Sequence, residues 1–283
     1  MVSVMKTKKI VLIWDFDGPI GQVNSTLPYN FHFEQFEKEI NNVRWLLEFL
    51  KEEKIKCCFA ITGFSAEIGV YPYTFPELIQ EIAANGHEVA SHSWKHEWIP
   101  LFTEDQINKS LKRSKKALEQ SIAKEGFVTG FVPPHNRPMT WWQKGAFSLG
   151  DRGLFPFFTM GNMEALLQLL VKNKYQWVRI SYKNLFTKFR LTKKNITGRI
   201  YNHKGIFVLE NHYNGFDDQV IQHILTTNYE TYTVSAHPFM LSLANKKESK
   251  ETFLNFIAKL KHSGQSIEFI SPSDYISSIN VIK

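Results

Sequence analysis

Two clusters of side chains in this sequence have the types and spacing to do chemistry. The first, Asp15-Phe16-Asp17, ends an apolar run from Ile10 to Trp14 and opens onto Gly18-Pro19. Two carboxylates that close together can divide the work once the chain leaves strand geometry, one ligating a cation and the other taking a proton. The second cluster is His92-Ser93-Trp94-Lys95-His96. Two imidazoles four residues apart on one helical turn face the same way, and with one carboxylate they form a three-ligand set that leaves a coordination position open to water.

These residues are far apart in the chain, so a scaffold must bring them together. The first half alternates apolar runs with helical periodicity, the pattern of parallel strand pairing. Strands are expected at Lys9 to Trp14, Lys56 to Ile61, His87 to Ser91 and Gly126 to Val132. Between them, Phe36, Ile40, Val43, Leu46, Leu47 and Leu50 fall at helical spacing over residues 34 to 54, and a second helix covers Phe75 to Ala84. A third starts at Thr103, where Gln106 completes a capping box. Further strands are expected at Tyr175 to Ile180, Ile206 to Leu209, Thr231 to Ser235 and Ile267 to Ile270, with a helix through Phe253, Phe256, Ile257 and Leu260 before Gly264. Polar or unusual residues recur just after the strands: Asp15 and Asp17, Gly63, His92, Pro133 to Asn136, Asn211 and His212, His237 and Ser271. In a barrel of parallel strands those ends share one face, where catalytic groups gather.

With 283 residues and 43% hydrophobic content, the chain is long enough for a sizeable core. No apolar run approaches the ~20 residues that cross a bilayer. The short apolar stretch after Lys9 is unlike a secretory leader, so a cytoplasmic location is expected. Adjacent Cys57 and Cys58 should point to opposite faces of a strand and remain free thiols. Lys and Arg outnumber Asp and Glu by 34 to 27, a net charge of +7, and Lys183 to Lys204 holds much of the excess. That block could meet a phosphate-bearing substrate or an anionic membrane face, although a solvated basic loop is the simpler reading. No nucleic-acid-binding motif accompanies it.

Several segments, in order, resemble motifs of the polysaccharide deacetylase (NodB-homology) family: Asp15 to Pro19, Phe59 to Gly63, Gly86 to His96, Phe131-Val132-Pro133-Pro134-His135-Asn136, and Val234 to Pro238. The ending, with Gly264, Ile267 to Ile270 and Ser271-Pro272-Ser273, is also similar. The resemblance implies an α/β fold, a distorted (β/α)7 barrel of parallel strands with outer helices. It spans 1–283 as a single domain, with an elaboration within 139–204. It also implies a divalent metal, zinc first, with cobalt, manganese, iron or nickel as alternatives, held by Asp17, His92 and His96. Asp15 would be the base and His237 the acid that protonates the departing amine. Pro134, His135, Asn136, Arg137, Trp94 and His212 would contact substrate, with His212 second to His237 as the acid. The implied reaction removes an N-acetyl group from an amino sugar, free of nucleic acid, on a glycan or on a phosphate-bearing or lipid-linked precursor.

The chain departs from the family pattern in two places. Its first motif is Asp-Phe-Asp rather than adjacent aspartates, similar to a divergent subset that includes peptidoglycan deacetylases and cyclic-amide hydrolases. Val132 stands where an arginine usually precedes the Pro-Pro turn, so the group that orients the base must come from elsewhere, with Arg137 a candidate. Three other readings follow: a cyclic-amide or other C–N hydrolase on the same site, a glycan-binding barrel without activity, and a haloacid-dehalogenase-like phosphatase with Asp15 as nucleophile.

Overall fold

The computed structural model describes residues 7–25, 33–99, 102–134, 142–144, 158–160, 163–180, 200–210 and 213–280. The first half runs β1 (Lys8–Phe16), α1 (Gly18–Ser25), α2 (Phe33–Glu52), β2 (Cys58–Ile61), α3 (Pro76–Ala84), β3 (Glu88–Ser91), α4 (Glu104–Ile122) and β4 (Gly130–Phe131). There follow β5 (Trp142–Lys144), β6 (Phe158–Met160), α5 (Met163–Lys172), β7 (Trp177–Ile180), β8 (Ile200–His203), β9 (Ile206–Glu210) and β10 (Tyr213–Asn214). The chain ends with α6 (Asp218–Thr226), β11 (Thr231–Ala236), α7 (Lys250–Lys261), β12 (Ile267–Phe269) and α8 (Pro272–Asn280).

Ten of these strands form one sheet in the order β10-β11-β1-β2-β3-β4-β7-β9-β8, with β12 also on β1. Every pairing in it is parallel except β8 with β9, and the sheet curls into a half-barrel ringed by helices. Strand β1 is the hub. One edge carries β11 from Lys9 to Trp14; the other is shared between β12 beside Lys8–Ile10 and β2 beside Ile13–Phe16.

Alternation along the strands separates two apolar layers. Ile10, Leu12, Trp14 and Phe16 of β1 pack outward with Phe59, Ile61 and Val89 against the helices. Val11 and Ile13 pack inward with Cys58, Ala60, Ala90, Val132, Trp177 and Leu209. Tyr275 and Ile276 of α8 join this inner layer and plug the amino-terminal end of the barrel. The cysteines divide as expected, Cys57 outward and Cys58 inward, both buried and free.

The same parity lifts polar groups to the carboxyl end. Continuing two positions along each strand, the inward side chain after Val11 and Ile13 is Asp15, after Ala90 it is His92, and after Trp177 it is Arg179. The helices are held where the sequence signals them. Thr103 caps α4 reciprocally with Gln106, and Gly264 sits at φ 71° beyond the end of α7. Among the described residues, no helix is long and apolar enough to cross a membrane.

Candidate metal and acid–base site

Asp17 lies one residue past β1, and the two histidines follow β3. Residues 92–96 form a tight turn, not the helical turn the spacing suggested. Ser93 (φ 65°) and His96 (φ 59°) adopt the left-handed region that L-residues avoid, a local strain typical of functional positions. The turn brings the two imidazole centroids to 4.9 Å.

Its backbone is pinned by neighbours. Ser93 O accepts from Gly63 N at 2.9 Å and Trp94 O from Phe64 N at 2.9 Å, so the chain after β2 braces the turn. Gly63 is required there, because a Cβ would lie 2.4 Å from Ser114 Cα. Gly21 makes similar room on the other side: its Cβ would meet Asp17 Cβ at 2.7 Å and the His96 ring at 3.4 Å.

Asp17, His92 and His96 are buried and offer ligand atoms that all lie within 4.8 Å of one another. Asp17 Oδ1 stands 3.2 Å from His92 Nε2 and 3.3 Å from His96 Nε2, yet no donor meets that oxygen in hydrogen-bonding geometry. The tautomer of His92 explains why. Its Nδ1 is 2.8 Å from Val132 O, and since a carbonyl only accepts, Nδ1 carries a proton, so that in the neutral ring Nε2 presents a lone pair. A buried carboxylate oxygen facing an imidazole lone pair is repulsive unless a cation lies between them, so these residues fit a metal. Burial alone would raise the Asp17 pKa, but His96 and the histidine contacts hold it well below the usual carboxylate range. Burial lowers the pKa of His96, favouring the neutral form that ligates.

Asp15 sits beside this trio. Arg179 grips it with both arms, Nη1 to Oδ1 at 2.7 Å and Nη2 to Oδ2 at 2.5 Å, with both side chains buried. Burial pushes Asp15 upward, but the guanidinium, aided by His92 and His237, holds it below its ordinary value. Arg179 thus grips Asp15 from β7, while position 132 carries valine; Arg137 lies outside the described residues. A lone arginine at an inward position of an apolar strand was the available signal.

Across Asp15, at 3.9 Å from its Oδ2, is Nε2 of His237 at the end of β11. Its ring Nδ1 and its backbone N–H both bond Glu248 Oε2, at 2.8 and 2.9 Å. Burial opposes the charged imidazole, but Glu248 and then Asp15 and Asp17 outweigh it and raise the His237 pKa to about 9. Glu248 could not have been read from sequence, because Lys246-Lys247-Glu248 looks like an exposed charged run. Glu39 of α2 is also fully buried, accepting from Gln22 at 2.6 Å and from the Gly18 backbone. It shares a helical face with Phe36 and Val43, a legible signal.

The remaining sequence candidates divide. Pro134 is buried three residues beyond β4. Trp94 is packed against Phe64 with Arg113 3.9 Å over its ring, so it buttresses the histidine turn and has no free face for a sugar. His135, Asn136 and His212 lie outside the described residues.

Residues 6–144 match the family model described as polysaccharide deacetylase. That span, just under half of the chain, carries a polysaccharide deacetylase domain. The matched span contains Asp15, Asp17, His92 and His96 but ends before Arg179, His237 and Glu248. A peptidoglycan-N-acetylglucosamine deacetylase from Bacillus cereus is 25% identical over 93 residues, covering 33% of this chain and 29% of that protein. The chain covers 29% of the length of the first curated relatives it matches. Among solved structures, a candidate polysaccharide deacetylase from Mycobacterium smegmatis superimposes with TM-score 0.65 at 15% identity, over 99% of this chain and 93% of that one. A CE4-family pseudoenzyme from Bacillus anthracis gives 0.50 at 14% identity, over 92% of this chain and 65% of that one. At these identities the structural likeness establishes the barrel fold of the family.

Proposed function

We propose that this chain is a metal-dependent hydrolase that removes an N-acetyl group from an amino sugar in a glycan or glycan precursor. The observation that carries the reading is the convergence of Asp17 Oδ1, His92 Nε2 and His96 Nε2 on one buried point, with Asp15 and His237 beside it. The nitrogen and oxygen donor set favours zinc. A divalent ion held there would polarise the amide carbonyl and lower the pKa of water toward ~7.

The protein's own groups divide the proton transfers. Arg179 keeps Asp15 ionised and fixed in plane, leaving its carboxylate to accept a proton from the attacking water. Glu248 keeps His237 protonated at neutral pH, so its Nε2–H can be given to the departing amine. Acid and base are thereby set apart by their partners, Arg179 for one and Glu248 for the other. The phosphatase alternative, with Asp15 as nucleophile, leaves the convergence of His92 and His96 on Asp17 without a role.

The test is acetate release from N-acetylated amino-sugar oligomers by protein loaded with zinc and by protein stripped with a chelator. Acetate formed only by the loaded form is expected. Stoichiometric zinc binding with no acetate from any acetylated glycan would favour a binding protein instead.

A further inference from the structure

The chain leaves His237 in a short 3-10 turn, Pro238–Ser242, whose apolar side chains divide into two sets. One set anchors the turn. Pro238 and Leu241 are buried, and Asn42 of α2 donates through Nδ2 to Pro238 O and to Ser242 Oγ, both at 2.8 Å. Met240 N closes the turn on His237 O at 3.0 Å. The other set stays partly open. Phe239 is only half-buried, with its ring centroid 5.4 Å from the His237 imidazole and tilted 58° to it.

The turn and the imidazole are both held without this aromatic contact. Asn42, Pro238 and Leu241 fix the turn, and Glu248 fixes the imidazole by taking both its Nδ1 and the His237 backbone N–H. The His237 side chain is itself 27% exposed, so the two touching rings border the same open surface. The proton transfer says what arrives there. His237 Nε2 must come within about 3 Å of the departing nitrogen, which places the carbon bearing that nitrogen within about 4–5 Å of Nε2. A ring centred 5.4 Å from the imidazole lies within reach of the group to which that carbon belongs.

We propose that Phe239 is the platform for the sugar ring on the amine side of the scissile bond, a substrate contact that rests on the deacetylase reading. One face of a pyranose presents C–H groups, which pack on the electron-rich face of a benzene ring. Trp94 is closed to this role because Arg113 already covers its indole. Phe239 thereby favours an N-acetyl group carried on a sugar ring over the same group on an acyclic amine.

The experiment compares the zinc-loaded full chain with its Phe239→Ala and Phe239→Trp variants on the N-acetylglucosamine tetramer and on N-acetylethanolamine, which has the amide but no ring. Phe239→Ala should raise KM for the tetramer about tenfold, with a smaller change in kcat. Its loss in kcat/KM should be about tenfold greater for the tetramer than for N-acetylethanolamine, and Phe239→Trp should restore tetramer binding. An unchanged KM, or an equal loss on the two substrates, would overturn the proposal. So would a loss confined to kcat with a moved alkaline limb, which would make Phe239 a packing partner of the imidazole. If wild type releases no acetate, the deacetylase reading fails separately, and calorimetry with the same tetramer then reads the platform directly. Wild-type binding that Phe239→Ala weakens about tenfold would sustain it, and equal binding, or no binding by wild type, would overturn it.

Discussion

Removing the Arg179 guanidinium should expose how much of the site's integrity rests on one buried ion pair. Both partners are nearly inaccessible, and both carboxylate oxygens are bonded. With charge centres roughly 4 Å apart and an effective dielectric near 20, the attraction is about 4 kcal/mol. Breaking a buried pair from one side costs about 3–5 kcal/mol, because the abandoned charge has lost its water. Arg179→Met and Asp15→Asn should therefore each lose about that much in urea unfolding of the metal-free protein at pH 7. The double variant buries no orphaned charge and should lose no more than either single variant, a coupling of about 4 kcal/mol. Arg179→Met should also lower kcat by ~10²–10⁴. With the guanidinium gone, burial raises the Asp15 pKa, so the acid limb of kcat/KM should move to higher pH. The sign for stability agrees: Asp15 is depressed in the folded state, so its contribution is complete above its unfolded pKa of about 3.8 and is lost as pH falls through the lower folded value. Additive losses in the cycle, with coupling below ~0.5 kcal/mol, would refute the account.

Other expectations concern neighbouring groups. Asp17→Ala, His92→Ala and His96→Ala should each abolish stoichiometric zinc binding by calorimetry, and retention of one tight site in all three would remove the ligand assignment. Glu248→Gln should lower the His237 pKa from about 9 and bring the alkaline limb of kcat/KM to lower pH, because the acid must be protonated to act; an unmoved limb would exclude Glu248 as its positioning partner. Burial, with Asp17 nearby, raises Glu39 from 4.5 to about 8, so the folded state holds the extra proton and stability falls as pH rises between those values. Metal-free Glu39→Gln should accordingly gain on wild type across that window, and parallel pH profiles would count against it. Gly63→Ala should destabilise by about 1–3 kcal/mol, since its methyl would meet backbone at Ser114; a neutral result would mean that the brace of the histidine turn is looser than the contact implies.

Much of this was legible in the residues alone. Apolar runs separated by helical periodicity placed the strands, and with them the carboxyl ends that Asp15 and His92 follow, because a strand's signature is local and leaves its mark within a few positions. Asp17, His92 and His96 stood out by residue type, as one carboxylate and two nearby imidazoles. The short helices α1, α6 and α8 left weaker traces: in eight or nine residues periodicity is faint, and none has both the Pro at its start and the Gly past its end that bracket the equally short α3. The turn at 92–96 was misread as helical, since spacing cannot distinguish a helix from a strained turn braced by Gly63 and Phe64.

What the linear chain determined is therefore which groups are chemically able and which end of a strand they occupy. Their partnerships were decided only in three dimensions. Arg179 lies 164 positions from Asp15, and Glu248 reads as surface charge until the chain beyond β11 folds back over His237. Electrostatic pairing depends on distance through space and on the exclusion of water, and neither quantity is written in local sequence.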